Sequence, residues 1–147
     1  MARVVKPIAL TPYLTVNDGL AALAFYTSAF GAVVLNVHSD EDDQRIVHAH
    51  LKVGDIEFMM SDYIPEMNTN KHMPTKDEKR AIAMNWFFNT YADLCDFLNN
   101  CLVAGCDIIL PFDNMYWGQH YGEIKDPFGY VWALSSPNKK NNIVNLM

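Results

Sequence analysis

Hydrophobic and polar positions along this chain follow two rhythms. One is the two-residue alternation of strands; the other is the three-to-four-residue spacing of amphipathic helices. The strand rhythm predicts strands over 8–16, 32–38, 46–53 and 56–61, and again over 81–89, 107–110, 120–126 and 130–135. The helix rhythm begins after "VNDG", where Asn17 or Asp18 can cap free amides, and runs to Phe30. Gly31 then supplies the left-handed geometry of a helix end. A second helix follows Thr90, with Asp93 placed three residues on as in a capping box. Its apolar stripe is Leu94, Phe97, Leu98, Cys101 and Leu102, a core-facing pattern, and Gly105 ends it. Each half of the chain thus reads as strand, helix, then three strands.

The halves align as a faint internal repeat at a shift of 74 residues. Leu20 matches Leu94, Leu23 matches Phe97, Gly31 matches Gly105, Phe58 matches Trp132 and Met60 matches Leu134. Gly54-Asp55 closes one hairpin. "DPFG" closes another, with Pro127 presetting the turn and Gly129 able to take positive φ. Between the halves, "YIPEMNTNKHMPTKDEKR" is polar and broken by Pro65 and Pro74, a linker or a flap. The chain therefore reads as one domain. Module one covers about 8–62, the linker or flap 63–80, module two about 81–136 and a tail 137–147.

Composition narrows the function. With 147 residues, half of them hydrophobic, the chain can bury one core. A net charge of -6 without a basic face argues against nucleic acid, and no basic amphipathic helix suggests a membrane surface. Cys95, Cys101 and Cys106 form no CxxC pair and suit buried free thiols in a reducing cytoplasm. The "SDEDDQ" stretch at 39–44 reads as a solvated hairpin tip. No signal peptide or membrane span is expected.

Alternation also assigns faces. Val47, Ala49, Leu51 and Val53 should share an apolar face with Ile56, Phe58 and Met60. The other face carries His48, His50 and Lys52, set against Glu57, Met59 and Ser61. Lys52 would pair with Glu57, worth ~0–1 kcal/mol if exposed. In the second half Ile124 should lie with Trp132 and Leu134, and Tyr121, Glu123 and Lys125 with Val131, Ala133 and Ser135. His50 and Glu123 then occupy matching positions. With Thr11, Tyr13, Thr15, Ala83, Asn85 and Phe87 from the first strands, these residues would line a concave sheet suited to a small molecule.

Three segments, "TPYLTVNDGLAALAFYTSAFGAVVL", "HAHLKVGDIEFMMSD" and "WGQHYGEIKDPFGYVWAL", resemble the vicinal-oxygen-chelate superfamily. That group includes glyoxalase I, bleomycin-resistance proteins and extradiol dioxygenases. The sequence is most similar to its branch named after the phosphonate-cluster protein PhnB. The resemblance covers residues 8 to 136. It implies an α+β fold: two βαβββ modules forming a curved mixed sheet around a cavity, helices on the outer face, in a homodimer. It also implies a divalent metal held from four strand positions, which fall here near Thr11, Met59, Ala83 and Ala133. A hydroxyl, a thioether and two methyl groups are a poor ligand set, so the usual metal and its chemistry are not expected.

The leading expectation is a small-molecule-binding protein without a cofactor. Tyr13, His48, His50, Asn85, Trp117 and Tyr121 are its candidate ligand-binding residues. Glu123 is the candidate acid or base, its pKa raised if it sits in a partly apolar cavity. The alternative is a metal-dependent lyase, isomerase or dioxygenase with ligands relocated to His48, His50 and Glu123, since HxH on a strand points both imidazoles to one side. A third reading, an interaction module, rests on the apolar tail "IVNLM". His120 reads as a loop anchor ahead of a catalytic role. Neither a nucleotide-binding glycine loop nor a nucleophile elbow is present.

Overall fold

The computed structural model describes residues 2–42 and 44–140. The first module runs β1 (Tyr13–Val16), α1 (Gly19–Phe30), β2 (Val33–Ser39), β3 (Ile46–Val53) and β4 (Ile56–Asp62). The second runs β5 (Met84–Phe87), α2 (Tyr91–Ala104), β6 (Asp107–Asn114), β7 (Gln119–Lys125) and β8 (Val131–Pro137). Each module forms a four-stranded mixed sheet, ordered β1-β4-β3-β2 and β5-β8-β7-β6. The first strand of each module is parallel to its last, and the other pairs are antiparallel. This is the α+β arrangement of two βαβββ modules that the pattern predicts. No helix among the described residues is long and apolar enough to cross a membrane.

The caps follow their local chemistry. The Asp18 carboxylate accepts from the amide of Ala21, and the Thr90 hydroxyl from that of Asp93. Gly31 and Gly105 end the helices at φ 68° and 115°. The N-caps lie 72 positions apart and the C-caps 74, because α1 has 12 residues and α2 has 14. The repeat is therefore not a constant shift. The match of Leu20 with Leu94 fails: Leu20 is 60% exposed, whereas Leu94 is buried.

Strand limits depart from the alternation by more than two residues in three strands. β1 begins at Tyr13, not at residue 8; Leu10, two residues before Pro12, is 98% exposed. β5 is confined to Met84–Phe87. β6 continues through Pro111 to Asn114, which an edge strand tolerates because no second neighbour needs the missing N–H.

Both helices and one face of each sheet close a single core. Trp86 and Trp132 stack at 5.4 Å, and Phe30 stands edge-on to Trp132 at 4.8 Å. Aromatic pairs in these arrangements add about 0.5–1.5 kcal/mol each beyond their burial. The Asp126 carboxylate, buried in the "DPFG" turn, joins the modules. It accepts from the Tyr26 hydroxyl (2.6 Å), the Trp132 indole (2.9 Å) and the amides of Phe128 and Tyr130. Next to it, the Tyr130 hydroxyl accepts from the Thr15 amide and donates to the Thr15 carbonyl.

The segment 63–80 lies as a strap against both modules. Arg45 binds Asp40 at 2.7 Å and Glu66 at 2.9 Å, tying the strap's start to the acidic hairpin tip. At its far end the Arg80 guanidinium lies over the Tyr130 ring at 4.1 Å and donates to the carbonyls of Thr75 and Phe128. Lys125 donates to the Glu78 carbonyl at 2.7 Å, and Lys76 pairs with Asp107.

Candidate functional site

The ladder registers set which side chains share a face. Met59 is paired with both Tyr13 and His50. Ala133 is paired with both Asn85 and Glu123. His50 and Glu123 therefore hold equivalent places, as do Tyr13 and Asn85. Ala49 and Leu51 oppose Met60 and Phe58 on the core side, and Ile124 opposes Trp132. Val47 departs from this scheme. A bulge sets Ser39 against Ile46, so Ile46 enters the core and Val47 lines a cavity beside Tyr13 and Thr15.

On the first module's open face, the Tyr13 hydroxyl and His48 Nδ1 are hydrogen-bonded at 2.8 Å. His48 lies across from His38 and beside His50, with ring centres 6.2 and 6.4 Å away. His50 Nε2 is 3.2 Å from Glu57 Oε1, a close approach not aligned as a hydrogen bond. Glu57 thus turns to His50, and the expected Lys52–Glu57 pair does not form although the two residues are ladder partners.

On the second module's open face, the Tyr121 hydroxyl donates to Glu123 Oε2 at 2.8 Å. Burial, then the adjacent Glu123 carboxylate, push the Tyr121 phenol up to about 12. Tyr121 is therefore a fixed donor at neutral pH, and Glu123 keeps its second oxygen for another partner. Trp117 is 53% exposed and stands edge-on to Tyr121 at 6.1 Å. His120 is on the other side of the strand, buried against Tyr91 and Phe112 and bonded to Asn114 at 2.9 Å. Its burial lowers its pKa. This is an anchoring environment.

The candidate residues are thus not gathered in one cavity. Glu123 lines a cavity of about 360 Å³ beside Arg80 and Lys125. Asn85 lies in a second, about 350 Å³, at the seam between β4 and β5 with Glu57 and the two stacked tryptophans. Tyr13 lines two more, of about 320 and 240 Å³, beneath the strap. Lys71 and Arg80, which edge these spaces, escaped the sequence reading. Their signal was the basic content of a segment treated as a linker.

Thr11, Met59, Ala83 and Ala133 do not fit a divalent ion, for the two alanines carry no donor atom and a thioether favours soft metals. Among the described residues, no three or more His, Cys, Asp or Glu side chains stand together as a metal-holding group. His48, His50 and Glu123 therefore do not form one set within the chain. The apolar tail 143–147 lies outside the described residues.

Comparison with known proteins places this geometry. The sequence model of the "Glyoxalase/Bleomycin resistance protein/Dioxygenase superfamily" matches residues 5–134. An uncharacterized protein of Mycobacterium bovis is 33% identical over 144 residues, 97% of this chain and 91% of that protein. Among solved structures, protein PA1353 from Pseudomonas aeruginosa is similar with a TM-score of 0.69 and 19% identity, covering 90% of this chain and all of that one. A PhnB protein from Bacillus cereus gives 0.66 and 21%, covering 86% and 98%. The fosfomycin resistance protein FosX from Listeria monocytogenes, complexed with Mn(II) and sulfate, gives 0.66 and 10%, covering 97% and 100%. At these identities the structures show a shared fold.

Proposed function

Starting from the fact that the chain belongs to the Glyoxalase/Bleomycin resistance protein/Dioxygenase superfamily, we propose that it binds a small, partly aromatic molecule without the metal that other members use. The observation that carries this reading is the pair of hydrogen-bonded polar centres, Tyr13–His48 and Tyr121–Glu123, each set in an open sheet face that mixes polar and apolar side chains. Trp117 and Tyr121 offer ring surface for stacking, and His50, Asn85 and Glu123 offer orienting hydrogen bonds. One chain keeps Tyr13 and Glu123 in separate cavities, so the two centres are separate parts of the binding face. Exposed apolar side chains such as Phe87 and Leu110, beside the Tyr121–Glu123 centre, support a homodimer. The free thiols fit a reducing cytoplasm.

A panel of planar drugs and metabolites, screened by thermal shift on native protein, tests the reading. Stabilisation that weakens in His50→Ala and Glu123→Gln is expected. Failure of every class to stabilise the protein would sink it. Elemental analysis of protein purified without chelator addresses the competing lyase, isomerase or dioxygenase reading. A stoichiometric transition metal lost in His50→Ala would replace the present proposal with that one.

A further inference from the structure

The strap closes over one end of the first module's open face and leaves a cation there without a partner. Lys71 Nζ touches only Thr15 Oγ1, at 3.5 Å, and meets no carboxylate among the described residues. Its backbone is held in place: the Tyr63 hydroxyl donates to the Lys71 carbonyl at 3.1 Å, and the Lys71 amide donates to the Asn68 carbonyl. The two cavities beneath the strap share Tyr13, Thr15 and Lys71, so this amine stands where they adjoin. The larger one also has Arg80 on its wall, and its single carboxylate is Glu78. That carboxylate is already engaged, 3.0 Å from His72 Nε2 and 3.8 Å from Arg80. Arg80 Nε is itself buried without an acceptor. A chain of net charge -6 thus gathers a local excess of positive charge over an otherwise neutral corner of its binding face.

From this arrangement we infer that the pocket under the strap receives the carboxylate of a small planar acid, with Lys71 as its anchor. The inference rests on the binding reading above and adds the charge of the ligand. A carboxylate at Lys71 gains a charge-assisted hydrogen bond in a partly enclosed space. Tyr13 supplies a second donor when His48 Nδ1 carries the proton of their shared bond, because the phenol hydrogen is then free to point at the ligand. His48 is accordingly a positioning residue for Tyr13. About 320 Å³ accommodates a single-ring acid, whose ring would lie toward Tyr130 and the sheet.

The test compares three probes by calorimetry on the intact protein: benzoate, neutral benzamide and inorganic phosphate. Benzoate should bind wild type, and Lys71→Met should weaken it at least tenfold, while Lys71→Arg restores most of the affinity. Benzamide should bind more weakly than benzoate and show no dependence on Lys71. Equal benzoate affinity in wild type and Lys71→Met would overturn the inference, as would absent benzoate binding at millimolar concentration. Phosphate binding more tightly than benzoate with the same Lys71 dependence would overturn the choice of a planar acid. Neutral planar molecules that bind through His50 and Glu123 while benzoate ignores Lys71 would leave the general binding proposal standing and remove only this one.

Discussion

Replacing Asp126 with Asn should destabilise the protein by about 2–4 kcal/mol, and the structure says where that loss arises. The carboxylate takes four donors, and burial pushes its pKa up while those donors pull it back. Asn keeps one oxygen for the Phe128 and Tyr130 amides. Its amide nitrogen then faces the Tyr26 hydroxyl and the Trp132 indole. The hydroxyl can turn and accept, but the indole N–H has only a donor to offer and meets another donor. One buried donor left unmet costs about 1–3 kcal/mol, and a hydrogen bond to a charged group is worth about 1.5–3. Tyr26→Phe removes one donor, leaves the carboxylate with three and strands no donor, so it should cost less than Asp126→Asn, about 1.5–3 kcal/mol. The two changes share a partner, and the double variant should lose less than the sum of the singles. Urea unfolding with an unchanged m-value measures all three. If Asp126→Asn proves milder than Tyr26→Phe, or if the losses simply add, Asp126 does not organise the junction.

Three further outcomes follow from particular contacts. His120 is held neutral by burial, so its folded pKa lies below its unfolded value of about 6.5. Its stabilising contribution is present above that value and is lost as pH falls through the folded pKa; His120→Asn should flatten the acid side of a stability–pH curve measured by denaturant midpoint. Tyr121 is raised to about 12, so its contribution is present below about 10 and lost as pH rises through 12. Tyr26, raised by burial and Asp126, and Tyr91 also titrate late, so Tyr121 is identified by difference: its phenolate absorbance is the part that Glu123→Gln moves, and only part of the way back, since burial is the largest cause. Gly129→Ala would drive a methyl carbon into the Thr75 carbonyl oxygen and place it 2.9 Å from the Arg80 guanidinium, at φ 93°. The strap should lift, and tryptic cleavage at Lys71, Lys76 and Lys79 should accelerate by an order of magnitude or more; an unchanged cleavage rate would mean that the strap is not held by this contact.

Much of the scaffold could be read from the amino acids because alternation and capping are local. Ala49, Leu51 and Phe58 face the core as their spacing demands, and both helices stop at their glycines. The limits of that reading are physical too. Alternation assumes an unbroken ladder, and the bulge at Ile46 reverses Val47. A fixed repeat shift assumes equal helices, and two extra residues in α2 move Leu94 out of step with Leu20. The polar centres were found as residue types on a face, but their pairings were not. Whether Glu57 meets Lys52 or His50, and whether Glu123 meets a lysine or Tyr121, depends on rotamers that spacing does not encode. The strap was least legible. Its docking depends on Arg80 reaching Tyr130, fifty residues on, and no local pattern announces such a contact.

The Tyr130 hydroxyl has a consequence beyond joining the modules. In β1 the carbonyls of Pro12 and Val16 turn inward to β4, so the amide and carbonyl of Thr15 face outward along the sheet's rim. An outward pair of this kind invites another chain to add a strand. A single phenol occupies both groups, standing in for a neighbour that the fold does not supply. Without it the strand would remain folded on one side and adhesive on the other. Tyr130 is therefore a guard against disordered self-association as much as a piece of the core, and its loss would first be felt in solubility on warming.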